Sequence, residues 1–265
     1  MIDPASACIE FMRPGQICSC RDKADVAFLP LGALEWHGIH SPVGTDAIKS
    51  RGVCCAAAQK LGGGAVFPPL VWGVPRDSFF MDNNGGHDDL IASAYGIDDE
   101  VTKVISPHGG VDQQEQWLAY QRLVRMSLEQ IAGFGFRSIY ICSGHNPLVH
   151  WARPVAKAFS RVTLMAGHPV TTDWGGEFDA AGLSGDHAGK WETSLMLALA
   201  PHSVDLGEID CQPEYRGAGA GADAVEASAQ QGQAWLDACA TAIANEARWL
   251  VDNYPQLPAR HANKR

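Results

Sequence analysis

Residues 35–46 (EWHGIHSPVGTD) bring two carboxylates and two imidazoles into a segment that also contains two glycines and a proline. Glu35 and His37 are two positions apart, so their side chains face the same side of an extended segment. The Pro-Val-Gly turn that follows can fold Asp46 back toward them. Because carboxylate and imidazole are typical ligands of zinc, manganese and iron(II), the segment predicts a metal site.

Two later segments carry similar groups. In residues 142–151 (CSGHNPLVHW), His145 stands where a predicted strand meets a loop. In residues 185–198 (GDHAGKWETSLMLA), Asp186 and His187 precede a predicted helix and Glu192 lies near its start. A glutamate that opens an apolar helix is costly to bury unless it is paired or binds a metal. A capping role for this carboxylate is the alternative.

Predicted strands and helices alternate along the chain, which indicates an α/β fold: a mostly parallel sheet flanked by helices on both faces. The predicted strands are residues 25–35, 65–74, 137–145 and 162–170. The predicted helices are residues 47–61 with Asp46 as N-cap, 117–135, 192–200, and 222–253 with an interruption at Gly232. Ligands bind beyond the carboxyl ends of such strands, and the three polar segments fall there.

Bulk properties exclude several classes of function. The 265 residues predict a single domain over 1–265, with an irregular insertion at about 76–116. A net charge of −10 argues against a nucleic-acid partner, and no apolar run approaches the roughly 18 residues of a membrane span. The N-terminus lacks a secretory pattern, so we expect a cytoplasmic protein. The eight cysteines contain no C-x-x-C pair and are predicted to be reduced, small apolar side chains.

Together, "EWHGIHSPVGTD", "SGH" and "HAGKWETS" resemble, in this order, the motifs of the creatininase (creatinine amidohydrolase) family. The motifs span about 160 residues, and their combination is far more specific than any one of them. The resemblance implies a creatininase-like α/β fold, a metal-dependent hydrolase acting on a small molecule, and a homo-oligomer, which is a hexamer in some members.

The resemblance also assigns roles by position. The implied metal ligands are Glu35, His37, Asp46, His145 and Glu192. Asp46 is the candidate bridge between two ions, and Glu192 is either a ligand or a group that supports one. His187 is implied for proton transfer, with Asp186 as a neighbouring acid. Apart from the resemblance, His40, Trp151 and His87 are predicted to contact substrate. We expect one or two divalent ions, with zinc first and manganese or iron(II) as alternatives.

Two departures from the family pattern bear on the substrate. Pro147 stands where creatinine-hydrolysing members have a carboxylate ligand, and the tryptophan expected shortly before His187 is absent. We therefore expect a metal-activated water to open a small cyclic amide or related C–N bond, but not creatinine. One alternative is a C–C hydrolase that opens a carbocyclic keto-polyol ring of the dehydro-inosose type, which the polar residues 76–89 would suit. A second alternative is a non-catalytic metal-binding homologue.

Overall fold

A computed structural model of the chain describes residues 7–74, 95–96, 113–165, 171–176, 181–183, 185–213 and 221–253. The strands within these ranges are β1 (Val26–Leu31), β2 (Ala65–Val66), β3 (Ser138–Ser143) and β4 (Thr171–Gly176). They form one parallel sheet in the order β2-β1-β3-β4. This sheet, with the helices between its strands, confirms the predicted α/β class.

The helices follow the strands in alternation, as expected for parallel pairing. They are α1 (Pro14–Lys23), α2 (Thr45–Leu61), α3 (Gln113–Gly133), α4 (Asn146–Met165), α5 (Lys190–Leu199), α6 (Gly207–Cys211) and α7 (Ala229–Asn253). Short 3-10 turns lie at Ile9–Phe11, Pro201–Ser203 and Ala224–Glu226.

Helices cover both faces of the sheet. Every residue of β1 and β3 is buried, as in parallel sheets with both faces covered. Phe28 and Tyr140 point toward α2, α5 and α7, whereas Leu29 and Ile141 point toward α3 and α4. Each such side chain contributes about 1.5–3 kcal/mol by leaving water. The two apolar layers therefore fix the sheet between the helices.

Helix α2 begins and ends at glycines. Gly44 is its N-cap, so the prediction that Asp46 caps this helix is wrong, and Asp46 lies inside the first turn. At the other end Gly62 adopts φ 78°, and its N–H donates to carbonyl oxygens of the last turn. The left-handed conformation costs glycine no Cβ clash, which explains why the helix stops at the predicted place.

Two predicted strands need correction. Residues 162–165 belong to α4, which continues to Met165, and β4 begins only at Thr171. A short apolar run fits a buried strand and the end of a helix equally well, so its periodicity could not separate them. Of the predicted strand 65–74, only Ala65–Val66 is a strand, followed by an isolated bridge between Leu70 and Leu31.

The C-terminal helix begins later than predicted, at Ala229, and runs without a break through Gly232. A Cβ atom at position 232 would lie 1.7 Å from the carbonyl oxygen of Ser194. Glycine at this position therefore permits the close approach of α7 to α5, and it is not a helix breaker here.

Most of the predicted insertion, residues 76–116, lies outside the described residues, and so does His87. Its last residues are helical, since α3 already begins at Gln113. Among the helices that the structure describes, none is both long and apolar enough to cross a bilayer.

The register of the two central strands sets the position of the site. Leu31 and Ser143, the last residues of β1 and β3, are paired, and the N–H of Gly144 donates to the carbonyl of Leu31 at 2.9 Å. The loops that carry Glu35 and His145 therefore leave the sheet side by side at its carboxyl edge.

Candidate metal centre

The loop between β1 and α2 folds back on itself. The N–H of Glu35 donates to the carbonyl of Val43 at 3.1 Å, and His37 forms a bridge with Ser41. The N–H of Ala33 donates to Oδ2 of Asp46 at 3.3 Å. These bonds hold the start of the loop against the first turn of α2, as the Pro-Val-Gly turn predicted.

Two glycines let the backbone segments of the site approach each other. A Cβ atom on Gly144 would lie 2.2 Å from the carbonyl oxygen of Asp46, and one on Gly32 would lie 2.6 Å from the nitrogen of Ala47. Any side chain at either position would push α2 away from the strand ends. The glycine of the "SGH" motif is therefore required by the packing that brings Asp46 to His145.

His145 lies between two carboxylates. Its Nδ1 atom is 2.9 Å from Oε1 of Glu35 and 3.1 Å from Oδ2 of Asp46. The turn is held by Ser143, whose hydroxyl donates to the carbonyl of His145 at 2.6 Å. The structure thus brings together three predicted ligands that are up to 110 residues apart in the chain.

His37 lies on the other side of Asp46. Its Nδ1 atom is 3.1 Å from the carbonyl oxygen of Glu35 and must donate to it, because a carbonyl oxygen only accepts. Its Nε2 atom therefore presents a lone pair toward Oδ1 of Asp46 at 3.4 Å and Oε2 of Glu192 at 3.5 Å. A lone pair that faces two carboxylates needs a proton or a cation between them.

Lys49 also enters the cluster, although no sequence motif pointed to it. The residue is 1% exposed, and its ammonium contacts Oε1 of Glu192 and lies 3.4 Å from Oδ1 of Asp46. One signal was available: Lys49 follows Asp46 by three positions on the same helix, which places both on one face.

The donor set fits a divalent cation. The atoms fall into three groups within 4.8 Å: Glu35, His37 and His187; Glu35, Asp46 and His145; His37, Asp46 and Glu192. Ligands about 2.0–2.2 Å from a shared zinc lie about 3.4 Å apart in a tetrahedral arrangement, close to the observed spacings. Nε2 of His37 and Nε2 of His145 are also buried without a hydrogen-bond partner among the described residues.

The electrostatics point the same way. Burial alone would lower the pKa of His145, but the carboxylates of Asp46 and Glu35 outweigh it and raise the pKa to about 10. Burial would also lower the pKa of His37, but Asp46 and Glu192 outweigh burial and raise this pKa. Burial would raise the pKa of Asp46, but Lys49 and the two imidazoles hold it well below its usual range. The cluster therefore attracts positive charge, which a metal would supply in place of protons.

His187 covers the cluster on its exposed side. Its ring lies 4.5 Å from that of His37, and its Nδ1 atom is 3.7 Å from Oε1 of Glu35. Its Nε2 atom is 2.9 Å from the carbonyl oxygen of Trp36 and therefore carries the proton. With a side chain 35% exposed, His187 is the most accessible of these groups.

Comparison with known proteins agrees with this geometry. The model of the creatininase family (creatinine amidohydrolase) matches residues 11–91 and 115–246, which is more than half of the chain. The chain belongs to the creatininase family. It is therefore a metal-dependent hydrolase of the amidohydrolase type, as the three motifs predicted.

Individual creatininases are similar over most of their length. The creatinine amidohydrolase of Pseudomonas putida is 27% identical over 198 residues, which cover 71% of this chain and 69% of that protein. A solved creatinine amidohydrolase superposes with a TM-score of 0.66 at 21% identity, covering 94% of this chain and 98% of its own. A manganese creatininase and a point mutant of creatininase of the Zn–Zn type each give a TM-score of 0.65 at 21% identity, covering 92% of this chain and 98% of theirs.

Asp186 lies directly before the creatininase motif "HAGKWETS" and binds its backbone. Its two carboxylate oxygens accept the N–H groups of Trp191 at 2.8 Å and Glu192 at 3.1 Å. Asp186 thus caps the first turn of α5. The observed partner of the His187 imidazole is the carbonyl of Trp36.

Glu192 makes a capping contact and is also paired with a lysine. Its Oε2 atom accepts the N–H of Ala188 at 2.6 Å, which is a capping contact, while Oε1 contacts Lys49. Ala188 adopts φ 48°, a left-handed conformation that is unfavourable for a residue with a Cβ. The turn before α5 is therefore held in a strained shape that directs its N–H at Glu192.

Two predicted substrate contacts prove to be interior residues. His40 is 3% exposed, and its Nε2 atom lies 2.9 Å from Oγ1 of Thr193. Trp151 is buried in the core, where its ring packs against those of Tyr120 and Trp117. Helix α4 turns Trp151 toward α3 because its apolar face must be covered. His40 and Trp151 are therefore packed inside the structure, and His87 lies outside the described residues.

Proposed function

We propose that the chain hydrolyses a small cyclic amide or a related C–N bond, using a divalent cation held among the clustered carboxylates and imidazoles. The proposed ligands are Glu35, His37, Asp46, His145 and Glu192. One observation carries the proposal: three buried carboxylates face imidazole nitrogens at the carboxyl edge of a parallel sheet. Zinc is the first choice of metal, and manganese and iron(II) are the alternatives, because the donors are nitrogen and oxygen atoms.

A cation bound here would lower the pKa of a coordinated water to about 7 and polarise a substrate carbonyl. The protein supplies the rest of the chemistry. The carboxylates of Glu35 and Asp46 fix the position of the charge, and the carbonyl of Glu35 fixes the tautomer of His37. Their burial excludes bulk water from the attacked carbonyl, so these charges act in a medium of low dielectric constant.

His187 is the proposed proton carrier. Because its Nε2–H is bound to the carbonyl of Trp36, its Nδ1 atom has the free lone pair and faces Glu35. This atom would accept a proton from the attacking water and return it to the departing nitrogen. Such a general base contributes about 10²–10⁴-fold to the rate. We assign Asp186 a positioning role, since its capping bonds hold the turn that carries His187.

Creatinine is not the proposed substrate. The positions just before the "GDHAG" segment that the structure describes are Gly182 and Leu183; Gly182 is exposed in a turn, and Leu183 packs against the apolar core. Neither residue offers an aromatic ring for a planar substrate to stack on. A substrate held by hydrogen bonds, such as a saturated lactam or a cyclic imide, suits this position better.

The test is a substrate panel on purified protein loaded in turn with zinc, manganese and iron(II). The panel contains lactams, cyclic imides, formamides, creatinine and cyclic keto-polyols. We expect turnover of a cyclic amide or imide and none of creatinine. Turnover restricted to the keto-polyols would favour ring opening by C–C hydrolysis. Absence of turnover across the panel would favour the non-catalytic alternative.

Matched variants connect the activity to the proposed ligands. Glu35→Gln should lose both bound metal and turnover, because it removes a charge that contacts His145. Glu129→Gln is the control, since that carboxylate is exposed and pairs with Arg125 on the surface. Full activity of the Glu35 variant would reject this ligand set.

We also propose that the chain assembles as a homo-oligomer. Several large apolar side chains are well exposed, and an interface would remove them from water. Among the described residues, the three most exposed are Trp72 (72%), Phe11 (66%) and Met126 (62%). Light scattering coupled to gel filtration would measure the mass, and a single-chain mass would contradict the proposal.

A further inference from the structure

Lys49 occupies the part of the cluster where a second cation would bind. The group formed by His37, Asp46 and Glu192 has the donors and spacing of a metal site of its own. The ammonium of Lys49 contacts Oε1 of Glu192 and approaches Oδ1 of Asp46 at 3.4 Å. The other Glu192 oxygen accepts the N–H of Ala188, so both of its oxygens are already engaged.

The ammonium is a fixed part of this side of the cluster. The side chain of Lys49 is 2% exposed, and α2 is packed against α5 and α7. Its neighbour Asp46 is held by the N–H of Ala33. A cation ligated by both Asp46 and Glu192 would lie within a few ångströms of a buried like charge, and low dielectric constant makes that repulsion strong.

The charges of the cluster balance with one ion. Three carboxylates, those of Glu35, Asp46 and Glu192, contact the imidazoles of His37 and His145. Together with the ammonium of Lys49, the three carboxylates carry a formal charge of −2, which a single divalent cation neutralises. Two divalent cations would reverse the sign of this buried charge. The helix that follows His145 adds no further donor at its second residue, Pro147.

We infer that Lys49 replaces the second cation, so that the chain holds a single divalent ion at Glu35, Asp46 and His145. This inference rests on the proposed function: it narrows the ligands of the ion from the five proposed residues to Glu35, Asp46 and His145, and it adds the stoichiometry of the centre and the role of Lys49. A solved point mutant of a related creatininase is described as the Zn–Zn type. In this chain a protein charge takes the place of a second ion.

The experiment counts metal per chain. The full chain is stripped with a chelator, dialysed against a small excess of Zn²⁺ and analysed by inductively coupled plasma mass spectrometry. We expect one zinc per chain for the wild type and two for Lys49→Met, whose side chain has similar length without charge. Lys60→Met is the control: Lys60 lies on the same helix in an exposed pair with Asp237 and should leave the count at one.

Three results overturn the inference. Two zinc ions per wild-type chain would show that Lys49 does not exclude the second ion. A folded Lys49→Met variant, checked by circular dichroism, that still binds one ion would show that Lys49 is not what keeps it out. No zinc bound to the wild type would reject the proposed ligands themselves, which separates that failure from the other two.

A second measurement needs no variant. The stripped wild-type chain is titrated with Mn²⁺ to saturation and its paramagnetic resonance spectrum is recorded. We expect the hyperfine pattern of an isolated Mn²⁺ ion. A spectrum of an exchange-coupled pair would overturn the inference, whatever the Lys49 variant does.

Discussion

His145 and His40 are both almost fully buried, yet their pKa values shift in opposite directions. Burial acts on both imidazoles and by itself lowers both pKa values. For His40, which lies near Thr193 and the imidazole of His37, the pKa falls to about 4. For His145, between Asp46 and Glu35, it rises to about 10. The difference shows that the carboxylates, rather than the depth of the pocket, give the centre its affinity for positive charge.

The largest expected effect comes from Lys49→Met in the metal-free protein, because it removes the positive partner of two buried carboxylates. Leaving one side of a buried ion pair uncompensated costs about 3–5 kcal/mol. Urea denaturation with a chelator present measures this loss. We expect saturating Zn²⁺ to recover much of it, and Lys60→Met, at a surface pair, to change stability by less than about 1 kcal/mol. Equal losses in the two variants would contradict the assigned role of Lys49.

Asp46→Asn should lower the pKa of His145 toward that of His40. The amide keeps the shape of the side chain but removes the charge 3.1 Å from Nδ1 of His145. We expect zinc affinity to fall by at least about 100-fold, or about 2.7 kcal/mol, since the loss of a mere supporting contact already costs 10–100-fold. The pKa of His145 should fall as well, which an NMR titration of the metal-free protein measures. An unchanged pKa would mean that Asp46 is not the dominant neighbour.

The opposite pKa shifts of His145 and His40 also predict a bell-shaped pH dependence for the stability of the metal-free protein. The pKa of His145 is raised above 6.5 in the folded state, so its stabilising contribution is complete below about pH 6.5 and is lost toward about pH 10. The pKa of His40 is lowered, so stability is lost as the pH falls from about 6.5 toward about 4. Thermal melts across this range measure both limbs.

Bound metal should change only one limb of that profile. Because a cation binds the deprotonated form of His145, zinc should remove the loss of stability toward alkaline pH. The acid limb should remain until the metal itself dissociates. An alkaline limb that persists in the zinc-loaded protein would show that His145 is not a ligand of the metal.

His40→Gln is the smallest of these perturbations. It should cost about 1 kcal/mol through the weakened hydrogen bond to Thr193, and the acid limb contributed by His40 should disappear. Metal content should stay the same, because His40 belongs to none of the three donor groups. Loss of metal in a folded His40→Gln protein would show that His40 contributes to metal binding.

The sequence predicted the parts of the molecule that depend on local pattern. Strands β1 and β3, the helix stop at Gly62 and the convergence of three polar segments follow from apolar runs, glycines and the rule for parallel sheets. The strand predicted at residues 162–170 is wrong over 162–165, because the length and composition of the run suit either a strand or a helix end.

What the sequence could not predict depends on tertiary packing. A lysine on a helix is usually solvated, and only the packing of α2 against α5 and α7 makes Lys49 an interior charge. The same holds for Trp151 and His40, whose residue types suit a pocket but whose neighbours, Tyr120 and Thr193, lie inside. In each case the residue type alone could not show whether the side chain faces the interior or solvent.

The ammonium of Lys49 has a consequence for how the enzyme depends on its surroundings. A covalently attached charge cannot be diluted away or captured by a competing chelator, whereas every exchangeable ion must be drawn from the cell's supply. With one such ion, activity should follow free metal concentration along a simple hyperbola, without the sigmoidal onset of a centre that must be filled twice. Such a catalyst would keep working at metal scarcity that empties a paired site.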